Sequence, residues 1–355
     1  MLRQAKLEFL RFAEATGASR LLSGSAWRRH RLLILCYHGV SMYDEHVFGE
    51  LHISPELFRR RMECVAQAGC NVLPLSEAVQ RLHSGTLPDR AVVITFDDGL
   101  YDFFSVAFPI VESFGFPVTL YLTTYYVELN RPVFDTMCSY LLWKGRDKKQ
   151  LEWPELFPDR IVLDDAGRRQ ATSTIKQFAI SRHLSGLEKD DLLARLAERL
   201  NIDYQDLCRR RVMHLITPEE AKNLADRGVD IEYHTHRHRV YRNRDRMFAE
   251  LRDNRSRITS YTSNEPRHFC YTAGFYLPEY PEYLREYGIV SATTCKSGLC
   301  TAQTNPLLLP RLVDTNGLSD LEFRAWLSGI AALLPMRPYE MGEGQLVEEE
   351  ELATT

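Results

Sequence analysis

Two short stretches of this sequence hold residue types, at a spacing, suited to metal-assisted hydrolysis. The first is Val92-Val93-Ile94-Thr95-Phe96 running into Asp97-Asp98-Gly99. The second is Val229-Asp230-Ile231-Glu232-Tyr233 running into His234-Thr235-His236-Arg237-His238. Each reads as a strand ending in polar groups that are costly to bury without compensation. Neighbouring strand residues point to opposite sides, so a turn at Gly99 can divide the two acids, one to hold an ion and one to take a proton. His234 and His238 lie four apart, and a helical turn there puts both imidazoles on one face. With the Asp98 carboxylate they make a two-histidine, one-carboxylate set, which leaves positions open for water and substrate as catalytic zinc sites do. His236 is expected to face away from the ion. The plainer alternatives are an Asp-Asp-Gly turn and a satisfied polar surface of histidines; the strand-end position of both clusters favours a metal.

The elements that must position these clusters alternate along the chain. Strands are expected at Leu32–Tyr37, Asn71–Leu75, 91–96, Val118–Leu122, Val229–Tyr233, His268–Tyr271, Ile289–Thr294 and Leu307–Val313. Helices are expected from Ser54-Pro55 to Ala68, over Ser76–Leu82, Tyr101–Phe114, from Thr217-Pro218 to Gly228, and over 246–259, 281–287 and Asp320–Leu334. Ser before Pro is a helix-start signal, and Gly a stop signal. Such repeated strand–helix units predict a parallel α/β architecture, open sheet or barrel. Residues 1–29 read as a helical extension, 30–335 as the α/β domain, 128–212 as a mostly helical insertion within it, and 336–355 as an acidic disordered tail.

Composition narrows the field. The chain has 355 residues, 45% of them hydrophobic, and a formal net charge of -4, which gives no general case for a nucleic-acid partner. Its eight cysteines are scattered without a CxxC pair and read as reduced, mostly buried thiols. No secretory signal is read at the N-terminus, and no apolar stretch is long enough for a transmembrane helix. A cytoplasmic protein is therefore expected. Residues 2–14 form a basic amphipathic helix that could touch a membrane surface but is expected to pack on its own domain.

With these residues in view, the sequence resembles the polysaccharide deacetylases, the NodB-homology proteins of carbohydrate esterase family 4. Thr95-Phe96-Asp97-Asp98-Gly99 and His234-Thr235-x-x-His238 are similar to the first two motifs of that family. Weaker similarities are Tyr37-His38-Gly39-Val40, Phe269-Cys270-Tyr271-Thr272-Ala273-Gly274 and Leu309-Pro310-Arg311-Leu312. The resemblance covers about residues 30–330 and implies a deformed (β/α) barrel of about seven parallel strands. It implies a divalent metal, usually zinc, with cobalt, nickel or manganese as alternatives, held by Asp98, His234 and His238. It implies Asp97 as general base, and an oxyanion donor in a backbone N–H near Tyr271. A cation beside Asp97 would keep it ionised; Arg311 is the first candidate and Arg267 the second. The chain departs from the family in having no histidine after His268, where the general acid is expected, and His38 is the strand-end alternative. It departs again at Thr272, where the family has proline, and at Glu232-Tyr233, where it has small residues.

The function expected on this basis is removal of an N-acetyl, or O-acetyl, group from a cytosolic carbohydrate or glycan precursor. A non-sugar N-acyl or cyclic amide substrate is the second reading, and a catalytically impaired carbohydrate-binding protein the third. Aromatic platforms for a sugar ring would come from Tyr125, Tyr126, Phe134, Trp143 and Phe275. The retained Asp97 speaks against the third reading, since a bare metal site has no need of it.

Overall fold

The computed structural model describes residues 2–335 and 346–347. Eight strands form one parallel sheet: β1 (Leu33–Tyr37), β2 (Asn71–Val72), β3 (Ala91–Phe96), β4 (Thr119–Leu122), β5 (Asp230–Tyr233), β6 (His268–Cys270), β7 (Ser291–Thr293) and β8 (Leu312–Val313). Seven of them run in the order β7-β6-β5-β4-β3-β1-β8, with β2 flanking the start of β3. Every residue of β1 and β3 is buried. That is why both read as unbroken apolar runs: a parallel sheet covered on both faces has no polar side to alternate with. The sheet is the deformed (β/α) barrel expected. Leu309 bridges to Thr293 in β7, and three residues later β8 pairs with β1. The strip Leu309–Val313 thus joins the two edges of the sheet.

Register sets what the rim of this barrel carries. Tyr37 pairs with Phe96, Leu122 with Tyr233, and Tyr233 with Phe269. His38, Asp97, His234 and Cys270 therefore emerge together at the carboxyl ends of adjacent strands, where α/β folds place their chemistry.

Several boundaries differ from the sequence expectation. The helix expected over Tyr101–Phe114 contains a π segment at Phe103–Ala107, because Pro109 has no N–H to give to the carbonyl four residues back. The strand expected at Asn71–Leu75 ends at Val72, since Pro74 introduces the helix Leu75–Ser84. The strand expected over Leu307–Val313 begins instead as a 3-10 turn, Pro306–Leu308, held by the Asn305 side chain accepting from Leu307 N–H. The last helix stops at Ser328, where Gly329 adopts φ 89, and a 3-10 turn follows. The N-terminal helix Leu2–Ala15 packs on its own domain through buried Leu10 and Ala13 and through Arg324 Nε to Glu14 Oε1 at 2.7 Å. Among the described residues no helix is long and apolar enough to cross a membrane. Of the expected tail, the backbones of Leu346 and Val347 pair with Val240 and Tyr241; 336–345 and 348–355 lie outside the described residues.

The chain divides into two compact units, and Tyr125–Pro218 forms most of the second. It is mostly helical, with helices Phe134–Lys144, Asp165–Ser181 and Gly186–Arg199, and Trp153 is buried with Arg195 and Arg199 over its ring. One small antiparallel pair, Gln150–Leu151 with Ile161–Val162, interrupts the helices. All eight cysteines are free thiols, and Cys36, Cys138, Cys270 and Cys300 are buried.

Candidate active site

The turn that ends β3 separates the two acids. Asp98 and Gly99 both lie in the left-handed region, at φ 72 and φ 87. A non-glycine residue there is strained, and the strain is held by Thr123 N–H donating to the Asp98 carbonyl. Asp97 consequently points into the barrel, 2% exposed, while Asp98 stays at the half-buried rim.

The second cluster does not form the helical turn expected of it. Thr235 and His238 each take positive φ, 63 and 55, and the Thr235 hydroxyl accepts from Arg239 N–H. The loop still brings both imidazoles to one point: His234 Nε2 and His238 Nε2 each lie 3.1 Å from Asp98 Oδ1. His236, expected to face away from the ion, does so, but it is buried rather than surface-lying, with Nδ1 2.8 Å from Thr124 Oγ1. Its carbonyl accepts from Thr123 Oγ1 and Thr124 N–H. Two further supports were not visible in the sequence. Asn254 accepts from His234 N–H at 3.0 Å and donates to the Leu122 carbonyl, and Glu250 accepts from Arg237 N–H at 2.7 Å. Both sit on helix Arg244–Thr262 and are buried.

The chemistry of these three donors fits a divalent cation. His234 Nδ1 lies 3.0 Å from the Cys270 carbonyl, a contact that makes Nδ1 the donor and leaves Nε2 to carry either a proton or a cation. That Nε2 faces a carboxylate oxygen, as does His238 Nε2. Only protons or one shared cation can make such a contact attractive. Burial pushes the Asp98 carboxyl up, but His238 and His234 outweigh it and hold the group well below the usual carboxylate range.

Asp97 sits deeper and is differently held. Arg311, fully buried on the strip that joins the sheet edges, donates from Nη1 to Oδ1 at 2.8 Å and from Nη2 to Oδ2 at 2.7 Å. Arg311 also donates to Thr95 Oγ1 and the Thr294 carbonyl, which leaves it no freedom to swing away. Burial raises the Asp97 carboxyl and the Arg311 guanidinium more than offsets this, so Asp97 stays far below its ordinary value. Arg267, the second candidate, lies at the opposite end of β6 with an exposed side chain. His38 Nε2 is 3.8 Å from Asp97 Oδ2, and burial lowers its imidazole below the ordinary range.

The backbone donor expected near Tyr271 is not the N–H of Tyr271 itself. That N–H donates to the Thr293 carbonyl at 3.1 Å and the Tyr271 hydroxyl to the Leu307 carbonyl at 3.0 Å, so both are spent on the barrel. Glu232, in place of a small residue, accepts from Arg267 N–H and His268 N–H at 2.6 Å each and so pins the entry of β6. Phe275 packs in the core with Tyr271 and Tyr280 rather than forming a platform. Phe134 is buried within the helical unit, which also holds Tyr125, Tyr126 and Trp143.

Fold and site together describe a parallel α/β barrel with a carboxylate and two imidazoles converging at its rim, and the comparisons with known proteins follow. The sequence model for "Polysaccharide deacetylase" matches residues 172–292, which include the His234–His238 cluster and Tyr271 but not Asp97, Asp98 or Arg311. The Bacillus subtilis protein YxkH, whose name places it among polysaccharide deacetylases, is 29% identical over 103 residues, 28% of this chain and 35% of its own length. The chain thus matches about a third of that relative. Among solved structures, the Streptococcus pyogenes deacetylase PplD superposes at a TM-score of 0.56 with 16% identity, over 86% of this chain and 99% of its own. Ammonifex degensii IcaB superposes at 0.53 with 16% identity, over 84% and 97%. At such identity the two likenesses speak for the fold alone. In the sequence of residues 172–292 and in its fold, this chain is similar to the polysaccharide deacetylases.

Proposed function

We propose that this protein is a divalent-metal-dependent hydrolase that removes an N-acetyl, or O-acetyl, group from a carbohydrate or glycan precursor. One observation carries the reading: the Asp98–His234–His238 donors converge beside an Asp97 carboxylate locked by Arg311, with His234 and Asp97 donor atoms within 4.8 Å of each other. Asp98, His234 and His238 would hold the cation, Zn2+ first, with Co2+, Ni2+ or Mn2+ able to use the same donors. A divalent cation there supplies Lewis-acid polarisation of an acyl carbonyl and a lowered pKa for water.

The chain's own residues then move the protons. Asp97, kept ionised by Arg311, takes the proton that water loses as its oxygen bonds to the acyl carbon. His38 enters neutral, because burial disfavours its charged form. It can protonate the departing amine only after receiving a proton, and Asp97 Oδ2 at 3.8 Å is the adjacent source. One water is consumed, the C–N bond breaks, and acetate and a free amine leave.

Acetate release from N-acetylated oligosaccharides, with and without chelator and in an Asp97→Asn variant, tests the reading. Chelator-sensitive release that collapses in Asp97→Asn is expected. Metal uptake without hydrolysis of any acylated sugar would overturn it.

A further inference from the structure

The N-terminal helix packs on its own domain by one face and leaves large apolar side chains on the other. From that outer face we infer a docking surface for an anionic lipid bilayer. Leu10 and Ala13 are buried on the inner side. On the outer side of Leu2–Ala15, Ala5, Phe9 and Phe12 recur at the spacing that places residues on one helical face, and all three are exposed. Phe9 is 44% exposed and Phe12 65%. Gly17, at φ 77, turns the chain into the short helix Ala18–Ser23, which packs against the first and carries Leu21 at 79% exposure.

Charge names the partner. Residues 1–31 hold seven Lys and Arg against two Glu, in a chain whose net charge is -4. Some of these cations are used within the fold: Arg28 is buried, Lys6 faces Glu322 and Arg29 faces Asp89. Arg11 and Arg20 are exposed, and neither has a carboxylate partner among the described residues. Of the two glutamates, Glu14 is taken by Arg324 at 2.7 Å, which leaves Glu8. A second copy of the chain fits this face poorly. Phe9, Phe12 and Leu21 expose on the order of 300 Å² of side chain, well below the about 800 Å² per partner of a stable protein interface. Pairing of two copies would also set Arg11 and Arg20 against their own kind. A bilayer demands no matching shape: phenyl and leucyl side chains enter its interfacial layer while arginines reach its phosphates. The surface rests on no part of the reaction proposed above, and its failure would leave that reaction standing.

Co-sedimentation of the full-length protein with lipid vesicles tests the surface. Binding is expected to vesicles of phosphatidylglycerol and phosphatidylcholine in equal parts. It should weaken by roughly thirtyfold on phosphatidylcholine alone, the share of two arginines, and fall as salt rises. These wild-type measurements need no variant to fold. Phe9→Ser/Phe12→Ser and Arg11→Glu/Arg20→Glu, all at exposed positions, should each lose most of the binding. Val162→Ser, at an exposed apolar position elsewhere, should keep it. Failure of the wild type to bind anionic vesicles would overturn the surface, as would binding that both N-terminal variants retain. A dimer in solution that Phe9→Ser/Phe12→Ser abolishes would overturn it too, by assigning the face to a second copy.

Discussion

Arg311 grips Asp97 with both terminal nitrogens, at 2.8 and 2.7 Å, where neither side chain is more than 2% exposed. Removing one partner of such a pair leaves an uncompensated buried charge, at a cost of about 3–5 kcal/mol. Arg311→Met should lower the urea midpoint accordingly. The double variant Asp97→Asn/Arg311→Met should recover part of the loss, because no ion is then left unpaired. Additive losses across the cycle would mean that the pair is not energetically coupled.

Asp97→Asn and the histidine variants should fail in different ways. Loaded with one equivalent of metal, Asp97→Asn keeps the ion and loses turnover by roughly 10²–10⁴-fold, the usual contribution of a positioned base. His234→Ala and His238→Ala lose the ion itself. Metal analysis after gel filtration distinguishes the cases, and stoichiometric metal in both histidine variants would refute the ligand assignment.

His268 gives the fold a pH dependence of definite sign. It lies between Ser76 Oγ at 2.6 Å and Ser291 Oγ at 2.8 Å, and burial brings its imidazole down to about 4. Between roughly pH 6.5 and 4 the unfolded chain binds a proton that the folded one refuses. This contribution to stability is therefore intact above pH 6.5, declines as pH falls, and levels off below 4, a total of roughly 3 kcal/mol. Urea unfolding at pH 7 and 4.5 should show a steeper loss in the wild type than in His268→Gln. Parallel losses would show that His268 is not the titrating group.

Gly99 and Gly115 separate strain from crowding. Both have positive φ, 87 and 66, but a Cβ on Gly99 would stand 2.2 Å from Leu122 Cδ1 while one on Gly115 meets nothing within 4 Å. Gly115→Ala should cost about 1–2 kcal/mol of backbone strain and leave metal affinity alone. Gly99→Ala adds an overpacking cost of about 1–3 kcal/mol and, by moving the turn that aims Asp98, should weaken metal binding. Equal metal affinity in the two variants would show that the turn does not set the site.

Much of the barrel could be read from the chain because strands such as Leu33–Tyr37 and Ala91–Phe96 are covered on both faces and so are apolar throughout. The two motif clusters were legible for a related reason: polar groups at the tip of a buried strand demand an explanation. What could not be read was anything set by left-handed backbone or by partners distant in sequence. The four-residue spacing of His234 and His238 suggested a helical turn, yet positive φ at Thr235 and His238 does the work. Asn254 and Glu250 drew no notice within the helix expected over 246–259, because only the folded loop supplies the N–H groups they accept from. That the N–H and hydroxyl of Tyr271 are both engaged, by Thr293 and Leu307, was likewise out of reach, because register and tertiary pairing set those partners. Cys36 and Cys270 passed as ordinary buried thiols, since nothing local says they meet at one carboxylate.

The strip that joins the two edges of the sheet has a bearing on how this protein becomes competent. Leu309 N–H donates to the Ala292 carbonyl on one side, Asp314 N–H to the Cys36 carbonyl on the other, and Arg311 lies between them. Until that strip of chain is laid in place, Asp97 lacks its main counter-charge, and burial pushes its carboxyl up. Closing the sheet and placing the guanidinium that holds Asp97 ionised are therefore a single event.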